Sequence, residues 1–170
     1  MIKLVTRNII RLIFLVLFQI TILNNIQLGG YVNPYLYVLF ILMLPFETPK
    51  WLLLISAFIL GVSVDMFSDT TGIHAAACVF MAYCRPGVLN LVSSRLDYEL
   101  GIQPIISDLG LKWFFTYSLI LVVAHHIVLF FLEVFSFSEF FHTLFRAGLS
   151  IIFTMTLLIL SQYVMYKPKK

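Results

Sequence analysis

The chain has 170 residues, of which 61% are hydrophobic and 11% charged, with a formal net charge of +3. A soluble domain carries roughly 45–50% apolar and about 25% charged residues, so most of this surface faces something other than water. The 17 Phe and 8 Tyr are more than one core of this length can hide, no room is left for a separate soluble catalytic domain, and the scattered basic residues give nucleic-acid binding no support.

The first expected span covers about residues 8–28. Lys3, Arg7 and Arg11 precede an apolar run with no charge from Leu12 to Phe46. A secretory signal peptide is the competing reading. The run is long, no small-x-small cleavage site follows, and another apolar segment comes at once, so an uncleaved anchor is expected. Gly29-Gly30 and Asn33-Pro34 break the run with turn chemistry, which places a second segment at about 34–46. Pro45 to Lys50 forms a polar turn with two prolines. A third segment runs over about 51–67 and a fourth over about 73–84.

Residues 85–111 read as a cytoplasmic loop, with four charges from Arg85 to Glu99, Pro86, Pro104 and three glycines. Within it Leu89, Val92, Leu96 and Leu100 recur at helical spacing, and Arg95 and Glu99 stand four apart. This suggests a short interfacial helix, a solvated loop being the alternative. Two long segments follow, at about 113–132 and 143–166. The expectation is an all-α integral membrane protein, a bundle of about six transmembrane helices, some of them short. A straight span needs about 20 residues, with about 17 near the lower limit. The second and fourth segments fall below that, so they must be shielded by neighbours, extended into their turns, or partly re-entrant.

With both termini cytoplasmic, the inner side receives Lys3, Arg7, Arg11, Lys50, Arg85, Arg95, Lys112, Lys167, Lys169 and Lys170, and the outer side only Arg146. This bias orients the chain. Trp51, Trp113, Tyr163 and Tyr166 then sit at the inner interface and Tyr31 and Tyr35 at the outer one, as aromatic belts require. Cys78 and Cys84, six apart in an apolar stretch, read as buried small hydrophobes and not as a disulfide or metal pair.

The most informative stretch runs from Gly61 through Asp65, Asp69 and Gly72 to His74. Asp65 and Asp69 share one helical face, and His74 comes within reach if the chain turns back at Thr70 to Gly72. A carboxylate at membrane depth is expensive and marks a functional-site candidate. Asp65 could pin the turn between the third and fourth helices, contact a partner helix or ligand, or belong to a metal or proton site, in that order of preference. The metal reading lacks a fourth ligand. About 22 Å from the inner interface at 1.5 Å per residue, Asp65 needs donors, and Thr70, Thr71, the amides around Gly72 and His74 are the nearest. His125-His126 point about 100° apart on their helix, so at most one faces the same cluster. Gln19, Asn24 and Asn25 read as interhelical hydrogen-bond partners, and Arg146 as a partner for Glu139 or Glu133, with lipid headgroup contact an equal alternative. No nucleophile motif, phosphate loop, HExxH or CxxC is present, so neither an enzyme nor a bound cofactor is expected.

Leu60-Gly61-Val62-Ser63-Val64-Asp65, then Gly72-Ile73-His74-Ala75-Ala76-Ala77, and Ala82-Tyr83-Cys84-Arg85-Pro86, together with the order of segments, resemble the bacterial rod shape-determining protein MreD family. The motif covers about residues 56–86, and the layout most of the chain. The resemblance implies a non-enzymatic, multi-pass component of the bacterial inner membrane. Such a component binds MreC and works beside the MreB filament, RodA and a penicillin-binding protein in sidewall peptidoglycan synthesis. By motif match Gly61, Asp65, Gly72, His74 and Arg85 carry over. The family often has an acidic residue after the proline that opens the second segment, and here Tyr35 follows Pro34. MreD-like chains are also similar in architecture to the substrate-binding subunits of energy-coupling-factor vitamin transporters, which supplies the alternative function. A small pore or proton-linked carrier leaning on His125, His126 and Asp65 ranks third.

Overall fold

The computed structural model describes residues 2–26, 33–92, 103–134 and 140–165, with side chains from Thr6 onward. Among them the regular structure is helical, with no strand. Helix α1 (Ile2–Thr21) runs into a 3-10 turn at Leu23–Asn25. A second 3-10 turn, Leu36–Val38, leads directly into a single α-turn, α2 (Leu39–Leu42). There follow α3 (Lys50–Ser68), α4 (Ile73–Val92), the short α5 (Ile106–Leu109), α6 (Leu111–Val134) and α7 (Phe140–Met165). Among the described residues four stretches are long and apolar enough to cross a membrane: Thr6–Asn25, Ile73–Val92, Leu111–Val134 and Phe140–Met165. The chain is thus an all-α protein of membrane type.

Its helices are patterned inside out relative to a soluble bundle. On α1, Ile10, Ile13, Phe14 and Leu17 form the exposed stripe, while Arg11, Leu15 and Gln19, four apart, point inward and are buried. A helix whose apolar stripe faces outward needs a lipid surround, and its inward polar groups then need protein partners.

Those partners are found on the second segment, where the structure departs from expectation. Residues 34–46 do not form one helix. Every residue from Tyr35 to Leu44 is at most 7% exposed, and the segment threads the bundle centre as a 3-10 turn plus one α-turn. Such a path leaves backbone groups that its own helix cannot satisfy, and each costs several kcal/mol in an apolar interior unless paired. Six side chains on four other helices supply the pairs. Asn33 and Tyr35 donate their N–H groups to Ser150 Oγ (3.1 Å) and Thr154 Oγ1 (3.0 Å) on α7. Gln19 of α1 accepts from the Leu36 N–H at 2.9 Å and donates to the Pro34 carbonyl at 3.0 Å. At the other end, Tyr117 of α6 donates to the Leu42 carbonyl (3.0 Å), Arg11 of α1 to that of Met43 (3.3 Å), and Arg85 of α4 to that of Leu44.

These bonds also give direction. Asn33 meets Ser150, and Met43 meets Gln162, so the segment runs parallel to α7. Gln19 meets its beginning and Arg11 its end, so it runs antiparallel to α1. Ser150 and Gln162 are twelve helical residues apart, about 18 Å, and only ten residues of the segment cover that height. A 3-10 turn rises faster per residue than an α-helix, so ten residues of this path match the rise of twelve on α7. Tyr35, expected at the outer interface, is 6% exposed because it belongs to this buried path.

The fourth segment is longer than the expected 73–84. Helix α4 continues through Pro86 to Val92, which removes Arg85 from the loop and places it, 1% exposed, inside the bundle. The residue before a proline leans away from helical geometry, which is why the sequence suggested a stop there. Burial of Val88 and Leu89 beyond the proline outweighs the one ladder bond that Pro86 cannot make. Leu89 and Val92 close α4 instead of opening a separate helix; Arg95, Leu96, Glu99 and Leu100 lie outside the described residues, as do Tyr31, Glu139 and Tyr166.

Helices α3 and α4 form the closest pair. A Cβ added at Gly61 would stand 2.6 Å from the Ala75 nitrogen and 2.7 Å from the His74 carbonyl oxygen, far inside contact distance. The first turn of α4 rests on α3 at a point where only hydrogen fits, the small-residue contact typical of membrane helices.

Candidate functional site

The turn from α3 to α4 is two residues in left-handed conformation with two others between them. Asp69, at the C-cap of α3, has φ 52° and Gly72 has φ 91°. Asp tolerates this region better than most side chains and Gly adopts it freely, so both residue types suit the reversal.

Gly72 occupies the N-cap of α4, since its carbonyl accepts the Ala76 N–H at 2.9 Å, and it has no side chain to cap with. Asp65, one helix back, supplies the missing oxygens. Its Oδ1 accepts the His74 N–H at 3.1 Å and the Thr70 hydroxyl at 2.5 Å, and its Oδ2 accepts the Ala75 N–H at 2.9 Å. These two amides are the ones that an N-cap side chain normally serves, and a carboxylate suits a helix N-terminus. The donors expected for Asp65 are therefore present except for the His74 ring and Thr71, because His74 gives its backbone to Asp65 and its ring to another group.

That group is Tyr37. Its hydroxyl lies 2.8 Å from His74 Nδ1 and 3.0 Å from His125 Nε2, with Cys78 Sγ 4.0 Å from the same Nε2. All are buried, His125 completely. A hydroxyl carries one proton, so Tyr37 donates to one imidazole and accepts from the other. Among the described residues His125 Nδ1 has no hydrogen-bond partner, and buried N–H groups without acceptors are rarer than unfilled lone pairs. The favoured arrangement therefore puts the His125 proton on Nε2, donating to Tyr37, while Tyr37 donates to His74 Nδ1.

His126 faces elsewhere, as the helical angle requires. Its Nε2 meets Thr154 Oγ1 at 3.2 Å and its Nδ1 the Val122 carbonyl at 2.9 Å. The Tyr35 ring stands between the two systems, 5.4 Å from His74, 6.2 Å from His125 and 5.4 Å from His126 by ring centroid. Above this column opens a cavity of ≈ 430 Å³, whose wall includes Gln19, Asn24, Asn33, Ser68, Asp69 and His74. Gln19 bonds Asn24 (3.0 Å) as well as the second segment, and Asn24 bonds Ser68 of α3 (3.0 Å), which gives these two amides the interhelical role expected of them; Asn25 does not share it, since its amide turns back to the Ile20 and Thr21 carbonyls of its own segment. Arg146 takes Glu133 as its partner at 3.3 Å.

Of the motif residues, the structure brings Gly61, Asp65, Gly72 and His74 together at the head of α4, with Asp69 at the cavity rim. Arg85 stands about 16 Å down the same helix, where its Nε donates to Tyr117 Oη at 2.8 Å. Sequence reading missed Tyr37, Tyr117, Arg11, Ser150 and Thr154. A signal existed for the last two, hydroxyls four apart in an apolar helix, but nothing local says that an irregular backbone lies opposite. Among the described residues no three His, Cys, Asp or Glu side chains cluster as metal ligands. No protein-family model matches the chain, and neither a curated protein nor a solved structure does.

Proposed function

We propose that this chain is a non-enzymatic membrane scaffold of the MreD type. It crosses the bacterial inner membrane six times with both termini in the cytoplasm, and it binds a single-spanning partner of the MreC type within the cell-elongation machinery. Through that partner it is linked to the MreB filament, RodA and a penicillin-binding protein.

The observation that supports this reading best is the use to which the motif residues are put. Gly61 sets the α3–α4 contact, Asp65 and Gly72 build the cap of α4, His74 ties α4 to the central segment, and Arg85 ties its far end to the same segment. Each fixes the relative position of helices, which is what a scaffold needs from its interior. With Arg11 and Arg85 taken out of the count because the bundle buries them, the remaining Lys and Arg still stand eight to one in support of the orientation. Since the described residues lie almost wholly in helices and short turns, partner binding draws on helix faces and short loops.

Co-purification in detergent tests the proposal directly. The tagged chain, expressed with an MreC-type partner from the same genome, should elute with it as one complex. Elution as a monomer carrying a bound vitamin would overturn the scaffold reading in favour of a transporter subunit.

A further inference from the structure

We infer that the cavity above the Tyr37–His74–His125 column binds a neutral cyclic polyol, such as the ring of a sugar, with the His74 imidazole donating to one of its oxygens. The column itself sets the first condition. Since Tyr37 donates to His74 Nδ1 (2.8 Å), the proton of the neutral imidazole sits on Nε2. Among the described residues that N–H has no acceptor, although His74 is only 6% exposed and lines the cavity. A buried N–H without a partner is rare and costly, so the floor of the cavity calls for an oxygen that the chain does not supply.

The rest of the wall sets the second condition, because it mixes donors with acceptors. Ser68 accepts from Asn24 at 3.0 Å and keeps its own hydroxyl proton free. One N–H of the Asn33 amide faces the Tyr35 hydroxyl, and among the described residues the other is open. At the rim the acceptors are the Asp69 carboxylate, the Asn25 carbonyl oxygen and the Glu133 oxygen that Arg146 leaves free. A cation would face the floor donors, and an anion would face Asp69, with Arg146 already paired to Glu133 at 3.3 Å. A hydroxyl donates and accepts through one oxygen, so several of them on one ring satisfy floor and rim together.

Size and apolar surface agree with such a ring. At ≈ 430 Å³ the cavity falls within the range of small-molecule sites, about 300–1,000 Å³. Leu23, Ile73 and Phe67 give it an apolar side against which the C–H face of the ring can lie. A free sugar and the sugar headgroup of a glycolipid share this chemistry. Phe67, 62% exposed beside Asp69, puts the cavity rim within reach of lipid as well as water.

The test is ligand-observed saturation-transfer NMR on the full-length protein in a detergent without a sugar headgroup. Glucose and myo-inositol are titrated in turn, against ethanolamine and acetate as charged probes. At least one of the two polyols should bind saturably. Its affinity should fall about tenfold or more in His74→Asn, which keeps an amide where Nδ1 stood but removes the Nε2–H, and in Ser68→Ala, which spares the column. Thr116→Ala, the loss of a hydroxyl from an exposed site on α6, should leave affinity unaltered. No saturable binding of either polyol would mean that water alone fills the cavity and would overturn the proposal. So would equal binding of ethanolamine or acetate, or wild-type affinity in whichever of the two cavity variants folds. Repeating the titration in phosphatidylcholine nanodiscs separates the sources. Weaker apparent affinity when a glucosyl diacylglycerol replaces part of the lipid assigns the site to a headgroup, and equal affinity assigns it to a free sugar. Binding is read on the protein alone, so the outcome does not depend on whether an MreC-type partner co-purifies.

Discussion

Asp65 in α3 and Ala75 in α4 are joined by a hydrogen bond of 2.9 Å from the Ala75 N–H to Asp65 Oδ2, so one helix caps the next from ten residues away. A cap within a single turn stabilises one helix. This one also fixes the angle at which α4 leaves the α3 surface, because Gly61 sits directly behind Ala75.

Replacing Asp65 tests the cap. In Asp65→Asn the carbonyl still accepts one of the two backbone N–H groups, while its NH2 faces the other as donor against donor. The expected loss is about 1–2 kcal/mol. In Asp65→Leu both N–H groups and the Thr70 hydroxyl lose their acceptor, and the expected loss is about 3 kcal/mol or more. Thermal unfolding in detergent should therefore rank wild type above Asn above Leu. An Asn variant that stays folded and partner-bound but loses all cell-shape activity would contradict a purely structural role.

Gly61→Ala should separate α3 from α4, since its Cβ overlaps backbone, which cannot rotate away. A cost of several kcal/mol or failure to fold is expected, above the 1–3 kcal/mol usual for overpacking by side chains alone. Gly87→Ala, in the interior of α4 with nothing within 4 Å of the new Cβ, is the control and should be neutral or gain about 0.5–1 kcal/mol. Equal melting temperatures for the two variants would show that the close contact carries no weight.

At the other end of α4, Arg85 and Tyr117 act on adjacent parts of the same segment. Arg85→Lys loses the planar fork that reaches both the Leu44 carbonyl and Tyr117, and Tyr117→Phe leaves the Leu42 carbonyl without that donor. Each should cost about 1.5–3 kcal/mol. The double variant should cost less than the sum, because the two side chains share a bond. Strict additivity in a double-mutant cycle would argue against that coupling.

The hydroxyl of Tyr37 joins His74 and His125 by hydrogen bonds to both. Tyr37→Phe should leave both imidazoles buried without their shared partner and cost about 1–3 kcal/mol. Nitrogen NMR of labelled histidines should show both ring signals moving while His126, held by Thr154 and Val122, stays in place. A shift confined to one histidine would contradict the shared hydroxyl.

The proposed topology is read by thiol labelling after Cys78→Ala and Cys84→Ala. Glu47→Cys should react only from the cytoplasmic side and Thr71→Cys only from the outer side, both positions being exposed. The reverse pattern, or labelling of both from one side, would rule out six crossings with both ends inside.

Composition and local pattern alone determined that the chain is helical and of membrane type. They also located the reversal at Asp69 to Gly72 and identified Asp65 as a carboxylate in need of donors. These are short-range matters. Apolar runs, turn residues and a charge at membrane depth state their energetic requirements within a window of a few residues. The path of the second segment was decided elsewhere. Its backbone is kept in an irregular form by Gln19, Arg11, Arg85, Tyr117, Ser150 and Thr154, the last of them 119 residues from the group it serves. Nothing near Tyr35 states that such a hydroxyl exists, and nothing near Arg85 distinguishes a loop charge from a buried donor. Only the packed bundle brings an unsatisfied carbonyl and a distant guanidinium to hydrogen-bond distance, and in an apolar surround that pairing outweighs the local preferences that favour a straight helix or a stop at proline.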